Sequence, residues 1–168
     1  AVTNQWVNSY KRLVHSPDGE PLGFEAPVYV SWAMVNRSDL VRVPAYKPGR
    51  EASRRVEYRA PDAACNPYLA FSVMLAAGLE GIENEYPLPP PVEENIYKMT
   101  SQERQAHGVE ELPRSLREAI QITEESDLVL KALGERVLGS FIQNKKIEWD
   151  RYRSQVTDYE IKQYLPML

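Results

Sequence analysis

The chain has 168 residues, 43% hydrophobic and 26% charged, with a net charge of −4 at pH 7. This balance fits one soluble domain, or a large piece of one, with a real core. The acidity argues against nonspecific nucleic-acid binding, and no apolar run reaches the length of a membrane span. No signal-peptide pattern opens the chain, and Cys65 is alone, so a disulfide framework is excluded and a reducing cytoplasm is the expected compartment. Cys65 itself reads as a small packing residue. The start at Ala1, running straight into Asn4-Gln5-Trp6, reads as a fragment cut from something longer, or as a chain with its start processed away.

Residues 1–60 are strand-like and rich in loops. Short strands are expected over 27–33, 40–43 and 54–59, where β-branched and aromatic residues cluster. Between Arg12 and Pro27 lies a Pro-, Gly- and Asp-rich segment, 15–23, which reads as a long loop of the kind that forms lids. Lys47-Pro48-Gly49-Arg50 is a turn. Charge is concentrated here: residues 1–59 hold nine Lys and Arg against six Asp and Glu. A basic region on an acidic chain points to a small anionic ligand.

Residues 66–168 read as helical. Asn66-Pro67 is an N-cap followed by proline at the first helical position. The helix over 68–82 is apolar nearly all round and is predicted to be buried. The run Tyr86-Pro87-Leu88-Pro89-Pro90-Pro91 cannot be helical and reads as a polyproline spacer. Further helices are expected over 101–107, 115–124, 127–133 and 135–155, with a capping box at Ser115–Glu118. In the longest, Leu138, Phe141, Ile142, Lys145 and Trp149 recur at helical spacing, which is a packing stripe. Thr157 opens a last short helix before Pro166. There is no internal repeat.

The most informative stretch is Arg54-Arg55-Val56-Glu57-Tyr58-Arg59. If extended, it projects Arg55, Glu57 and Arg59 together, with Val56 and Tyr58 on the apolar face. Such a row suits an anionic ligand and a metal held close together. It equally suits an exposed strand with cross-strand ion pairs. Spacing leaves both readings open.

Seven motifs occur in order: Asn8-Ser9-Tyr10-Lys11-Arg12-Leu13, Glu25-Ala26-Pro27, Asn36-Arg37-Ser38, Arg42-Val43-Pro44, the Arg54–Arg59 strand, Asp62-Ala63-Ala64-Cys65-Asn66-Pro67-Tyr68-Leu69, and Ala76-Ala77-Gly78-Leu79-Glu80-Gly81-Ile82. On these residues the chain resembles type I glutamine synthetase, in the C-terminal part of its catalytic domain, along essentially its whole length. The resemblance implies an α+β fold. Short antiparallel strands, part of a larger curved sheet, would precede a mainly helical half. Residues 1–168 would be one portion of that domain, with strands and flap loop in 1–60 and helices in 61–168.

It also implies a function. The family makes glutamine from glutamate, ATP and ammonia through a γ-glutamyl phosphate. Arg12 and Arg59 resemble the clamps on glutamate. Arg37 resembles the arginine that faces the transferred phosphoryl group and touches both nucleotide and glutamate. Arg42 and Arg55 resemble nucleotide-phosphate contacts, and Glu57 resembles a ligand of the Mg²⁺ or Mn²⁺ that bridges the ATP phosphates. Glu25 resembles the flap glutamate, which also meets glutamate and takes a proton from ammonium. Tyr97 stands where some bacterial members are adenylylated.

Two features depart from the family pattern. The link between Arg12 and Glu25 is longer than usual, and the lysine expected near Lys47 aligns ambiguously. The family's other metal ligands and its N-terminal domain fall outside the seven motifs, so the chain alone is expected to be inactive, with an exposed sheet edge and apolar face. The complete protein is expected to be a cytoplasmic homo-oligomer, a dodecamer as in the family, with no nucleic-acid or membrane partner. A γ-glutamyl ligase for an organic amine or polyamine, or a non-catalytic paralogue, are the alternatives.

Overall fold

In the computed structural model, which describes residues 1–11 and 26–167, the segment 27–33 is not one strand. It divides at Ser31 into β1 (Tyr29–Val30) and β2 (Trp32–Ala33), and the two halves join different sheets. β1 pairs antiparallel with β5 (Glu110–Glu111), with Tyr29 opposite Glu111. β2 pairs with β3 (Val41–Arg42), and β3 pairs antiparallel with β4 (Glu57–Tyr58). The β2–β3 pair is parallel, against the antiparallel expectation. The connection 34–40 must therefore carry the chain back to the end at which β2 began. Each strand is two residues long, too short to hold register unaided. Flanking bonds extend the ladder: Val43 N donates to Ala33 O at 2.9 Å, and Arg59 N to Leu40 O at 2.9 Å.

The helical half follows its capping chemistry. A short α1 (Val7–Lys11) precedes the sheets. The Asn66 side chain accepts from Tyr68 N at 3.0 Å and Leu69 N at 3.4 Å, and Pro67 opens α2 (Pro67–Glu83). α3 (Ser101–Ala106) is capped by Thr100 in a reciprocal box with Glu103. At α4 (Leu116–Glu124) only half of the expected box forms. Ser115 Oγ accepts from Glu118 N at 3.2 Å, but the Glu118 carboxylate accepts from Arg114 N at 2.7 Å, one residue before the cap. α5 (Asp127–Arg153) is kinked at Gly134, between the two predicted helices, with φ 75° and ψ 156°. α6 (Asp158–Tyr164) starts with the Thr157–Glu160 box.

The core sits where α4 and α5 meet β1 and the segment 92–99. Leu116, Ala119 and Ile120 of α4 pack with Leu138, Phe141 and Ile142 of α5, and with Val28, Tyr29 and Ile96. The α5 stripe is the predicted one. Its Lys145 is buried, yet its ammonium stays paired, 2.8 Å from Glu148 and 4.0 Å from the centre of the Trp6 ring. The other Glu148 oxygen accepts from Val7 N at 3.0 Å, which ties α1 to α5.

α2 corrects an expectation. It lies on α5 through one stripe, with Leu69 and Val73 against the core and only Ala70 fully buried. Tyr68, Phe71, Leu75 and Ile82 are exposed. One helix neighbour covers one stripe of a helix, and among the described residues α2 has no second covering layer. Among them too, no helix is long and apolar enough to cross a membrane.

Gly134 and Gly139 lie in the same helix and make opposed predictions. A Cβ at either position meets nothing within 4 Å. Gly134, however, holds a backbone conformation that is nearly glycine-only, so Gly134→Ala should destabilise by about 1–3 kcal/mol. Gly139→Ala should stabilise by roughly 0.5–1 kcal/mol through helix propensity. Urea unfolding of the two variants checks both signs.

Candidate functional site

Six of the residues singled out in the sequence lie among the described ones: Arg37, Arg42, Arg55, Glu57, Arg59 and Tyr97. Arg12, Glu25 and the lengthened loop between them lie outside the described residues.

The β3–β4 register places Arg42 directly opposite Glu57. Arg42 Nη1 lies 2.8 Å from Glu57 Oε2. Arg55 Nε and Nη2 each lie 2.9 Å from Glu57 Oε1. One carboxylate therefore sits between two guanidiniums, each holding one of its oxygens. These contacts are partly solvated, with side-chain exposures of 25% for Arg42, 29% for Glu57 and 54% for Arg55. Ion pairs of this kind contribute about 0–1 kcal/mol each to stability. Two arginines and a glutamate are thus concentrated at the β3–β4 pair at little gain in stability.

The rest of the expected row differs. Val56 is 66% exposed, so no apolar face covers it, while Tyr58 is half-buried. Arg59 reaches back along β3, and its Nη1 donates to the Asp39 carbonyl at 3.3 Å. Arg37 is exposed on the loop between β2 and β3. Its neighbour Asn36 is fully engaged. Asn36 Nδ2 donates to Val92 O at 3.1 Å and Glu94 O at 2.7 Å, and its Oδ1 accepts from Ser38 N at 3.0 Å and Ser38 Oγ at 2.7 Å.

Tyr97 lies on a 3₁₀ turn, Ile96–Lys98, half-buried against the Tyr29 ring at a centroid distance of 5.8 Å. Its hydroxyl donates to Ala26 O at 3.1 Å. Burial first, with the neighbouring Tyr29, raises its pKa above the ordinary tyrosine value, so the phenol is neutral at pH 7.

Two acids join this neighbourhood that the sequence did not single out. Glu93 faces the loop that carries Arg37, and Asp39 is wholly inaccessible to solvent. Neither Asp39 carboxylate oxygen has a hydrogen-bond partner among the described residues. Burial raises its pKa, an effect opposed by Ser31 and Arg59 and reinforced by Glu93. An aspartate in a Ser-Asp-Leu loop gives no pattern that would mark it; only its burial does.

Among the described residues, no three His, Cys, Asp or Glu side chains gather where they could hold a metal ion. Glu57 is the carboxylate of the arginine cluster, and guanidiniums hold both its oxygens. A divalent cation such as Mg²⁺ takes about six oxygen ligands. The described residues therefore do not make a metal site by themselves.

The chain matches the family described as "Glutamine synthetase, catalytic domain" over residues 1–164. It is 56% identical over 167 residues to a protein named glutamine synthetase from Mycolicibacterium smegmatis, covering 99% of this chain and 36% of that protein. It is 49% identical over 165 residues to a glutamine synthetase from Methanococcus maripaludis, covering 98% of this chain and 35% of that protein. A solved structure described as "GmaS/ADP complex-Conformation 1" superposes with a TM-score of 0.81 at 32% identity, covering 99% of this chain and 36% of that one. The chain thus spans about a third of the length of the relatives it matches.

Asp39 makes a prediction whose sign is fixed by its raised pKa. A carboxyl with a higher pKa folded than unfolded favours the fold while protonated. That advantage is lost as pH rises from the ordinary aspartate value through the folded one. Asp39→Asn should therefore be more stable than the parent at neutral pH, with the difference shrinking as pH falls toward 4. Thermal unfolding of both proteins across that range measures it.

Proposed function

The chain belongs to the glutamine synthetase catalytic-domain family, and from that premise we propose that the protein carrying it joins ammonia to L-glutamate, using ATP, by way of γ-glutamyl phosphate. The observation that supports this best is the β3–β4 register. It brings Arg42, Arg55 and Glu57 together at the start of the strand that leads into Arg59. The identity to named glutamine synthetases, 56% across the whole chain, supports the same reading.

In this reading a γ-carboxylate oxygen of glutamate attacks the terminal phosphorus of ATP, and ADP leaves. Ammonia then attacks the carbonyl carbon of the acyl phosphate, and inorganic phosphate leaves. Arg59, with Arg12, holds the substrate glutamate by charge-assisted hydrogen bonds. Arg37 faces the transferring phosphoryl group, where a guanidinium stabilises the charge spreading over its oxygens. Arg42 and Arg55 bind nucleotide phosphates, for which their present hold on Glu57 keeps them pre-aimed. Glu25 attracts ammonium and accepts its proton as water is excluded. Glu57 would be one ligand of an Mg²⁺ or Mn²⁺ ion, whose charge would neutralise the phosphates when bound; no group of three metal-ligating side chains forms among the described residues. The solved relative is described as a complex with ADP, which supports nucleotide use by the whole protein.

With no cluster of metal-ligating side chains among its described residues, the 168-residue chain alone is inactive and binds nucleotide weakly. The active form is a cytoplasmic homo-oligomer, a dodecamer as in the family. Tyr97 is the candidate modification site. A nucleotidyl group on its oxygen removes the proton that bonds Ala26.

A second reading is a γ-glutamyl ligase for an organic amine or polyamine. The solved structure that superposes on the chain is described as GmaS and not as glutamine synthetase, which supports keeping a related ligase as the second reading. Glu25, the residue that handles ammonium, favours ammonia, and the presence together of Arg12, Glu25, Arg37, Arg42, Glu57 and Arg59 disfavours a silent paralogue.

The full-length protein should form glutamine from glutamate, ATP and ammonium, in preference to using an organic amine or a polyamine. Arg59→Ala should lower kcat/KM for glutamate on the order of 100-fold. Preference for an amine would establish the second reading, and failure to turn over ATP with any acceptor would sink both. Glutamine formation by the isolated chain would contradict its expected inactivity.

A further inference from the structure

The loop carrying Arg37 is held by one carboxylate. Three successive backbone amides converge on Glu93: Met34 N donates to Oε1 at 2.8 Å, and Val35 N and Asn36 N donate to Oε2 at 3.1 and 3.3 Å. Successive N–H groups that point the same way form an anion-binding concavity, and here the chain supplies its own anion. These amides, that of Met34 first, hold the Glu93 carboxyl below the ordinary glutamate range, so it is ionised at neutral pH.

The clasp is reciprocal. Asn36 Nδ2 donates back to the carbonyls on both sides of Glu93, those of Val92 and Glu94. Val92 N donates to Trp32 O at 2.9 Å, and Trp32 Nε1 donates to Pro89 O at 2.7 Å. Residues 32–36 and 89–94 are thus joined on both sides, and the proline-rich spacer delivers Glu93 to the loop. Arg37 follows directly, between Asn36 and Ser38, which are themselves joined by hydrogen bonds. Its side chain is exposed, so the backbone clasp is what fixes where the guanidinium starts from.

We propose that Glu93 is a positioning residue for the ligase reaction, one that sets the Arg37 guanidinium by gathering the amides of residues 34–36. This rests on the role of Arg37 proposed above. Glu93 does not touch substrate, and its effect passes through Arg37. A group displaced by about 1 Å from its reacting partner can cost on the order of 100-fold in rate. Gln at this position keeps one acceptor oxygen and loses the second oxygen and the charge.

The test is a double-mutant cycle in the full-length enzyme with Glu93→Gln and Arg37→Lys, reading kcat, the KM values of ATP and glutamate, and the melting temperature. Glu93→Gln is expected to lower kcat by about tenfold, with smaller changes in either KM and little change in melting temperature. In the Arg37→Lys background the same change should cost less than about twofold, because the residue that Glu93 serves is already impaired. Equal losses in both backgrounds would overturn the inference, as would a Glu93→Gln enzyme with parental kcat. An Arg37→Lys enzyme with full activity would instead remove the role given to Arg37, and this inference with it. Glu93→Ala should cost more than Glu93→Gln, and a reversal of that order would also count against it.

Discussion

The register between β3 and β4 is the constraint on which the site depends. With Arg42 opposite Glu57, a carboxylate lies between two guanidiniums, and the same strand leads on to Arg59. A slip by one residue would send each of these side chains to the other face. Two-residue strands cannot enforce such a register. Nor can the ion pairs, which are partly solvated and weak. What enforces it lies outside the strands: the Arg59–Leu40 backbone bond, the Arg59–Asp39 bond and the clasp between 32–36 and 89–94. Asp39, inaccessible and with no hydrogen-bond partner for its carboxylate oxygens among the described residues, lies two residues before β3 at a cost in stability, a common state of affairs near functional sites.

The helical core stands behind this arrangement. Ile96, fully buried among α4 and α5 residues, anchors the turn that carries Tyr97, and Val92, also in the core, anchors the segment that carries Glu93. Loop positions near the site are therefore fixed by apolar packing a few residues away. The hydroxyl of Tyr97 bonds Ala26, the first described residue after the flap segment. Chemistry at that oxygen and the placement of the chain leading into β1 are consequently linked.

Local chemistry made most of the helical half legible. Asn66-Pro67, the Thr157–Glu160 box and the stripe through Phe141 and Ile142 each act within a few residues, and the break at Gly134 follows from a glycine between two helical runs. What could not be read depends on partners distant in sequence. β5 is two glutamates with no strand pattern; its pairing is a backbone match to β1. The division of 27–33 between two sheets has the same origin. α2 looked buried because its apolar residues run all round, but burial needs neighbours on every side and α5 supplies one. Glu93 and Asp39 carry no motif, and their roles arise from a fold that brings residues 34–36 to 93 and closes over 39. The ordered motifs, by contrast, pointed to the family directly, because seven of them follow one another in a fixed order over residues 8–82.

The sequence left two readings of Glu57 open, a metal ligand or a surface ion pair, and the proposed chemistry depends on the first. The direct measurement is the activation of the full-length Glu57→Gln enzyme by Mg²⁺ and Mn²⁺, taken together with its melting temperature. Metal ligation by Glu57 predicts that the metal concentration for half-maximal activity rises by about 10–100-fold. The melting temperature should move by no more than a few degrees, since the pairs lost are worth about 1 kcal/mol or less each. An unchanged metal requirement with a large fall in melting temperature would contradict it and leave Glu57 as a structural ion pair between Arg42 and Arg55.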